Sequence, residues 1–180
     1  MADYRLLGIS GSLRAASYNT LLLHEAARLF NPAEFMLGNL RLPLFDEDLE
    51  AAHGIPEPVQ RLADQILAAD AVVIAGPEYN KSITGVLKNA LDWVSRTKAN
   101  PWADKPVAIV SATAGRAGGE LTQTALRLCL VPFRPRIVPG PEVLVGQAQA
   151  QFDPDGRLNN DINREALAGL MTALKAEIGH

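Results

Sequence analysis

The segment Ala71-Val72-Val73-Ile74-Ala75 is apolar at all five positions, and it limits the fold more than any other stretch of the chain. A strand with one wet face alternates apolar and polar residues, whereas an unbroken apolar run needs cover on both faces. Such runs belong to the interior of a parallel sheet, and parallel strands require long crossovers, usually helices. Val107-Ala108-Ile109-Val110 is a second run of this kind, and Leu6-Leu7-Gly8-Ile9, in a strand near Arg5–Ile9, a third. Phe35–Asn39 also reads as a strand. Ile137-Val138 and Val143-Leu144-Val145 read as pieces of one edge strand, interrupted by Pro139 and Pro141.

Between these runs, apolar residues recur at the helical period. The spacing predicts helices over Asn19–Phe30, Glu57–Ala69, Ile83–Arg96, Glu120–Leu130 and Asp161–Ile178. Asn31-Pro32 stops the first, because a residue before proline disfavours the helical region. Leu42-Pro43-Leu44-Phe45-Asp46 reads as a loop with anchoring apolar residues, and Gly54-Ile55-Pro56 as the lead-in to the second helix. Five strands alternating with five helices predict a three-layer α/β domain with a doubly wound parallel sheet. No internal repeat or linker divides it, so residues 1–180 are read as a single domain. With 48% hydrophobic and 21% charged residues, a chain of 180 can bury a full core.

In such sheets ligands bind beyond the carboxyl ends of the strands, at the topological switch point. Three loops leave those ends: Ser10–Asn19, Gly76–Ser82 and Ser111–Gly119. The first joins a strand to a helix N-terminus, where unpaired N–H groups and the helix dipole favour an anion. Its three serines, Asn19 and Arg14 make it a candidate phosphate cradle. Read as structure alone, Ser17 or Asn19 is the helix cap. The second loop, Gly76-Pro77-Glu78-Tyr79-Asn80-Lys81-Ser82, sets an aromatic face beside backbone amides, which suits a planar heterocycle. Read as structure alone, it is a tight turn with Asn80 capping the next helix. The third, with Ser111, Ala112, Thr113 and Gly115, is small and flexible enough for close approach of a ligand.

Other chemistries find no support in the chain. Loop one lacks the lysine of G-x-x-x-x-G-K-[ST] and the spacing of G-x-G-x-x-G. Gly8-Ile9-Ser10-Gly11-Ser12 approaches a hydrolase elbow but carries Ser12 in place of the last glycine. Its histidine would have to come from His24, His53 or His180. Cys129 stands alone, so neither a disulfide nor a cysteine metal site is expected. A net charge of −3 argues against general nucleic-acid or membrane-surface binding. No apolar run approaches the roughly 18–20 residues of a membrane helix, and Met1–Arg5 enters strand-like sequence without a secretory pattern. A cytoplasmic location is expected. His53 is read as surface loop, Cys129 as core, and Lys88, Asp92 and Arg96 as one ion-paired helix face.

Gly11-Ser12-Leu13-Arg14-Ala15-Ala16-Ser17-Tyr18-Asn19, with Pro77-Glu78-Tyr79-Asn80 running into Gly85–Trp93, resembles the flavodoxin-like NADPH-dependent FMN reductases, in particular the bacterial soluble quinone and chromate reductases. The resemblance covers essentially the whole chain. It implies noncovalent FMN, with NADPH or NADH as donor. It places Ser12, Leu13, Arg14, Ser17, Tyr18 and Asn19 around the phosphate, and Pro77, Glu78, Tyr79 and Asn80 beside the isoalloxazine. Ser111, Ala112, Thr113 and Gly115 form the third wall. Quinones are the implied acceptors, with chromate and ferric complexes beside them. The alternatives are a reductase that supplies reduced flavin to an oxygenase, and a flavodoxin-like electron carrier. Thr84 and Ala114 stand where the family often has proline, which implies looser loops, and Lys81 adds a charge that favours anionic substrates. The family further implies a homodimer or dimer of dimers, for which Trp93 (read either as helix packing or as an oligomer contact), Trp102 and the apolar Gly140–Gly146 segment are the candidate contacts.

Overall fold

In the computed structural model, which describes residues 3–179, the apolar runs become strands of one parallel sheet. They are β1 (Arg5–Ser10), β2 (Glu34–Gly38), β3 (Ala71–Ala75), β4 (Pro106–Ala112), β5 (Arg136–Ile137) and β6 (Leu144–Val145). The order is β2-β1-β3-β4-β5, with β6 also pairing with β4. Pro106 and Val107 pair with β5, and Ser111 and Ala112 with β6. The fifth sheet position is therefore one edge strand broken around Pro139 and Pro141, as the prolines predict. Met1, Ala2 and His180 lie outside the described residues.

Helices cover both faces: α1 (Tyr18–Phe30), α2 (Glu47–His53), α3 (Glu57–Ala68), α4 (Gly85–Ser95), α5 (Glu120–Leu130) and α6 (Asp161–Ala176). Side-chain alternation divides the core in two. Val73, Ala75, Ala108 and Val110 face α1 and α6, where Leu22, Leu23, Phe30, Leu167 and Leu174 meet them. Val72, Ile74, Val107 and Ile109 face α3, α4 and α5 through Leu62, Ile66, Leu87, Leu91 and Leu126. Each of the Val, Leu, Ile and Phe side chains among them, fully buried, contributes about 1.5–3 kcal/mol. Lys105 closes the end of α3 by donating from Nζ to the carbonyls of Leu67 and Ala69. Burial there holds its pKa below the ordinary lysine value.

One helix escaped the sequence pattern. No residue of α2 is buried, so it has no apolar stripe to read. It is held at its ends: Asp46 accepts from Asp48 N at 2.9 Å, and Glu50 pairs with Arg96 at 2.8 Å. Arg96 thus leaves the ion-paired face expected of it, where only Lys88 and Asp92 meet, at 2.6 Å. His53 is exposed but helical, and Cys129 is half-buried rather than core.

The expected oligomer contacts lie inside the subunit. Trp93 is buried, donates from Nε1 to Pro43 O at 2.8 Å and meets Phe45 edge-on. Trp102 is buried as well, and Val143 and Val145 pack into the core. Self-association finds no support in any of them.

Candidate functional site

The sheet order reverses between β1 and β3, and the three predicted loops converge beyond that point. They enclose a cavity of about 280 Å³. Ser12, Arg14, Ser17, Tyr18 and Asn19 line one side, Pro77, Glu78 and Tyr79 a second, and Ala112, Thr113, Ala114 and Gly115 a third. Leu13, Asn80 and Ser111 do not line it. Leu13 faces an adjoining cleft, Asn80 sits at the tip of loop two, and Ser111 is fully buried near the end of β4.

Loop one is braced from behind and open in front. Thr20 Oγ1 donates to Ser10 Oγ at 3.1 Å, and Ser12 N donates to the same hydroxyl at 3.3 Å. Gly11 N reaches Ala75 O at 2.8 Å, bringing the loop so close to β3 that a Cβ on Gly11 would meet Gly76 Cα at 3.3 Å. Ser17 is the cap of α1 and accepts from Thr20 N. The next two N–H groups, of Tyr18 and Asn19, have no acceptor among the described residues. The exposed Arg14 has no carboxylate partner there either. Open amides, hydroxyls and an uncompensated guanidinium at one point suit a phosphate.

The Asn19 side chain does other work. It is buried, donates to Ala112 O at 2.8 Å and accepts from Ala112 N at 3.0 Å. It ties α1 to the end of β4 as a neighbouring strand would, which leaves the backbone amide as its group facing the cavity.

Loop two is a two-residue hairpin. Tyr79 and Ser82 exchange both backbone bonds at 3.1 Å, and Asn80 and Lys81 take φ values of 50° and 65°, the positive pair of a type I′ turn. The turn presents Tyr79, half-exposed, at the cavity rim. Glu78 is directed away, accepting from Leu121 N at the start of α5 at 3.0 Å. Asn80 caps nothing. The cap of α4 is Thr84, which is buried and donates to Gly11 O at 2.7 Å. Instead of loosening the loop, this threonine bonds loop two to loop one, a link that proline has no donor to make.

Loop three is not flexible. Ser111 Oγ donates to Gly118 O at 2.6 Å and accepts from Gln123 Nε2 at 2.9 Å. Residues 143–148 run alongside: Thr113 N donates to Val145 O, Gln147 N to Gly115 O and Ala148 N to Thr113 O, each at 2.9 Å. Sequence reasoning also missed Arg41, which donates to Leu13 O at 3.1 Å. Its only signal was a cation in a stretch otherwise read as an apolar loop.

Among the described residues, no group of acidic, histidine or cysteine side chains is arranged to hold a metal. No helix of the structure is long and apolar enough to cross a membrane. The cavity fits FMN: an anion end at loop one, a narrow gap walled by Tyr79 and the Ala112–Gly115 backbone, and the one lining carboxylate engaged elsewhere.

Comparison with known proteins agrees with this geometry. A structure of FerB, a flavoenzyme NAD(P)H:(acceptor) oxidoreductase from Paracoccus denitrificans, superposes with a TM-score of 0.87 at 33% identity, covering 97% of both chains. An NAD(P)H-dependent FMN reductase of Pseudomonas aeruginosa is 45% identical over 96% of this chain and 94% of its own. A quinone reductase of Escherichia coli K12 is 37% identical over 94% and 92%. The model of the NADPH-dependent FMN reductase family matches residues 4–150. The chain belongs to that family.

Proposed function

We propose that the protein is an FMN-dependent NAD(P)H oxidoreductase that delivers electrons to quinones by a ping-pong sequence. The observation that carries this reading is the cavity at the sheet's switch point, with open phosphate donors at one end and an aromatic rim at the other. When bound, FMN would supply the hydride and two-electron chemistry that links the reduced nicotinamide to the acceptor. Ser12, Arg14 and Ser17, with the amides of Tyr18 and Asn19, hold the phosphate. The Pro77–Asn80 backbone and the Tyr79 ring border the isoalloxazine, and Ala112–Gly115 close its other side. No lining side chain is placed to act as an acid or base, so the protein's part is to bind, orient and exclude water. The activities named for the relatives support reductase over electron carrier, and quinone as acceptor.

In this reading chromate and ferric complexes are further acceptors, supported by the cationic rim of Arg14 and Lys81. The enzyme works in the cytoplasm as a homodimer or dimer of dimers. The support for self-association is the outer face around α5, where Leu121, Leu128 and Val131 are exposed.

The test is spectroscopic. Purified protein incubated with FMN takes on flavin absorbance that NAD(P)H bleaches without oxygen and a quinone restores. Protein that binds no FMN ends the proposal. Parallel double-reciprocal lines are expected; intersecting lines with a detected ternary complex would remove the ping-pong order and leave the reductase.

A further inference from the structure

A second, larger cleft of about 990 Å³ adjoins the flavin cavity and shares Ser12, Arg14 and Tyr79 with it. Its charged lining is Arg14 and Arg41, with no carboxylate. Gly85 and Val86, the first two residues of α4, also face it. Their N–H groups have no acceptor among the described residues, whereas that of Leu87 is held by Thr84 Oγ1. Of the other polar lining groups, Asn89 donates to Pro43 O and accepts from Phe45 N, and Thr84 donates to Gly11 O, while the hydroxyls of Ser12 and Tyr79 have no acceptor among the described residues. The open groups are thus those two hydroxyls, two guanidiniums without a carboxylate partner (Arg41 also donates to Leu13 O), and the positive end of an 11-residue helix, so the only charge they present is positive. The rest of the wall is apolar, formed by Leu40, Leu42, Pro43 and Leu44.

We propose that this cleft docks the adenosine diphosphate end of NAD(P)H, with the diphosphate between Arg41, Arg14 and the start of α4. The proposal rests on the reductase reading above. A neutral quinone has no use for two unpaired cations and a helix N-terminus, whereas a diphosphate matches all three. Adjacency through Tyr79 lets the nicotinamide end reach the flavin cavity while the adenosine end stays outside it. Arg41 is the informative residue, because it lines the cleft but not the flavin cavity.

The experiment uses FMN-loaded enzyme in anaerobic rapid mixing, with NAD(P)H and with 1-benzyl-1,4-dihydronicotinamide, a hydride donor that lacks phosphate. For Arg41→Ala the apparent Kd of NAD(P)H should rise about tenfold relative to any change seen with the small donor, the size expected for loss of a charge-assisted contact. Arg41→Lys, which keeps the charge, should recover part of the loss. Arg41 also touches Leu13 O, so Val86→Glu serves as a second variant. It adds a carboxylate at the start of α4 while leaving the Arg41–Leu13 contact in place, and should weaken NAD(P)H in the same selective way.

Equal losses for both donors, an unchanged NAD(P)H Kd in both variants, or a rise confined to the quinone KM would overturn the docking site. Failure of both donors to reduce the wild-type flavin would instead overturn the reductase reading itself.

Discussion

Loops one and three look alike in sequence, both short runs of Gly, Ser, Thr and Ala around one arginine, yet they do opposite things with their polar groups. Loop one is braced from behind by Ser10 and Thr20 and leaves Arg14 and two helix amides open to the cavity. Loop three turns its hydroxyl and amides inward, onto Gly118, Gln123 and the 143–148 segment. One supplies donors and the other supplies shape. Composition does not separate a binding loop from a wall; an account of where each donor goes does.

The largest expected effect attacks the wall. Gly118 has φ 67°, and a Cβ there would stand 2.5 Å from the backbone carbon of Leu144. Strain at positive φ and a clash that no side chain can relieve should destabilise Gly118→Ala by about 3 kcal/mol. Urea unfolding of the apoprotein measures it. A loss under about 1 kcal/mol would show that the 143–148 segment yields and that loop three is not a rigid wall.

Asn19→Ala tests the tie between the two loops. It strips both partners from the buried Ala112 backbone, where each unsatisfied group costs about 1–3 kcal/mol. We expect about 2 kcal/mol of lost stability, with Asn19→Asp no better because it keeps one acceptor and buries a charge. If Asn19→Ala instead kept its stability and lost FMN, the side chain would belong to the phosphate site after all.

Arg14→Ala should invert that pattern. Arg14 is exposed and has no carboxylate partner among the described residues, so its removal should leave stability within about 0.5 kcal/mol. FMN affinity should fall at least about tenfold, since charge-assisted bonds to phosphate contribute about 1.5–3 kcal/mol. Riboflavin, which has no phosphate, is the control, with flavin fluorescence as the readout. Equal weakening of both flavins would mean that Arg14 does not meet the phosphate and that loop one is no more a cradle than loop three.

These contrasts mark what the sequence can and cannot say. Buried strands and amphipathic helices were legible because burial writes a period into the chain, and the edge strand's break was legible because proline cannot donate to a ladder. The α2 helix left no trace, since a cap and one ion pair hold it without burying a residue. The convergence of three loops followed from topology. The side chains of Asn19 and Ser111, expected at the cofactor, bond to the scaffold, Asn19 lining the cavity as well, and Thr84 tightens what it was expected to loosen. Each of these side chains meets a partner 7 to 93 positions away in the chain, and spacing along a sequence does not encode such partners.

The smallest effect is expected at the rim. A type I′ turn needs positive φ at both central positions, a requirement that Asn80 meets readily and Lys81 does not. Glycine at 81 removes the strain but adds freedom to the unfolded chain, so Lys81→Gly should stabilise by only about 0.5 kcal/mol. A lysine kept where glycine would be more stable points to its charge, which the turn carries two residues from Tyr79. The same variant should therefore raise KM for an anionic acceptor such as ferricyanide while that of a neutral quinone stays within about twofold, the little expected from removing an exposed charge. A parallel rise for both acceptors would place the effect in the turn's geometry instead, and the rim would then resemble loop three in acting through shape alone.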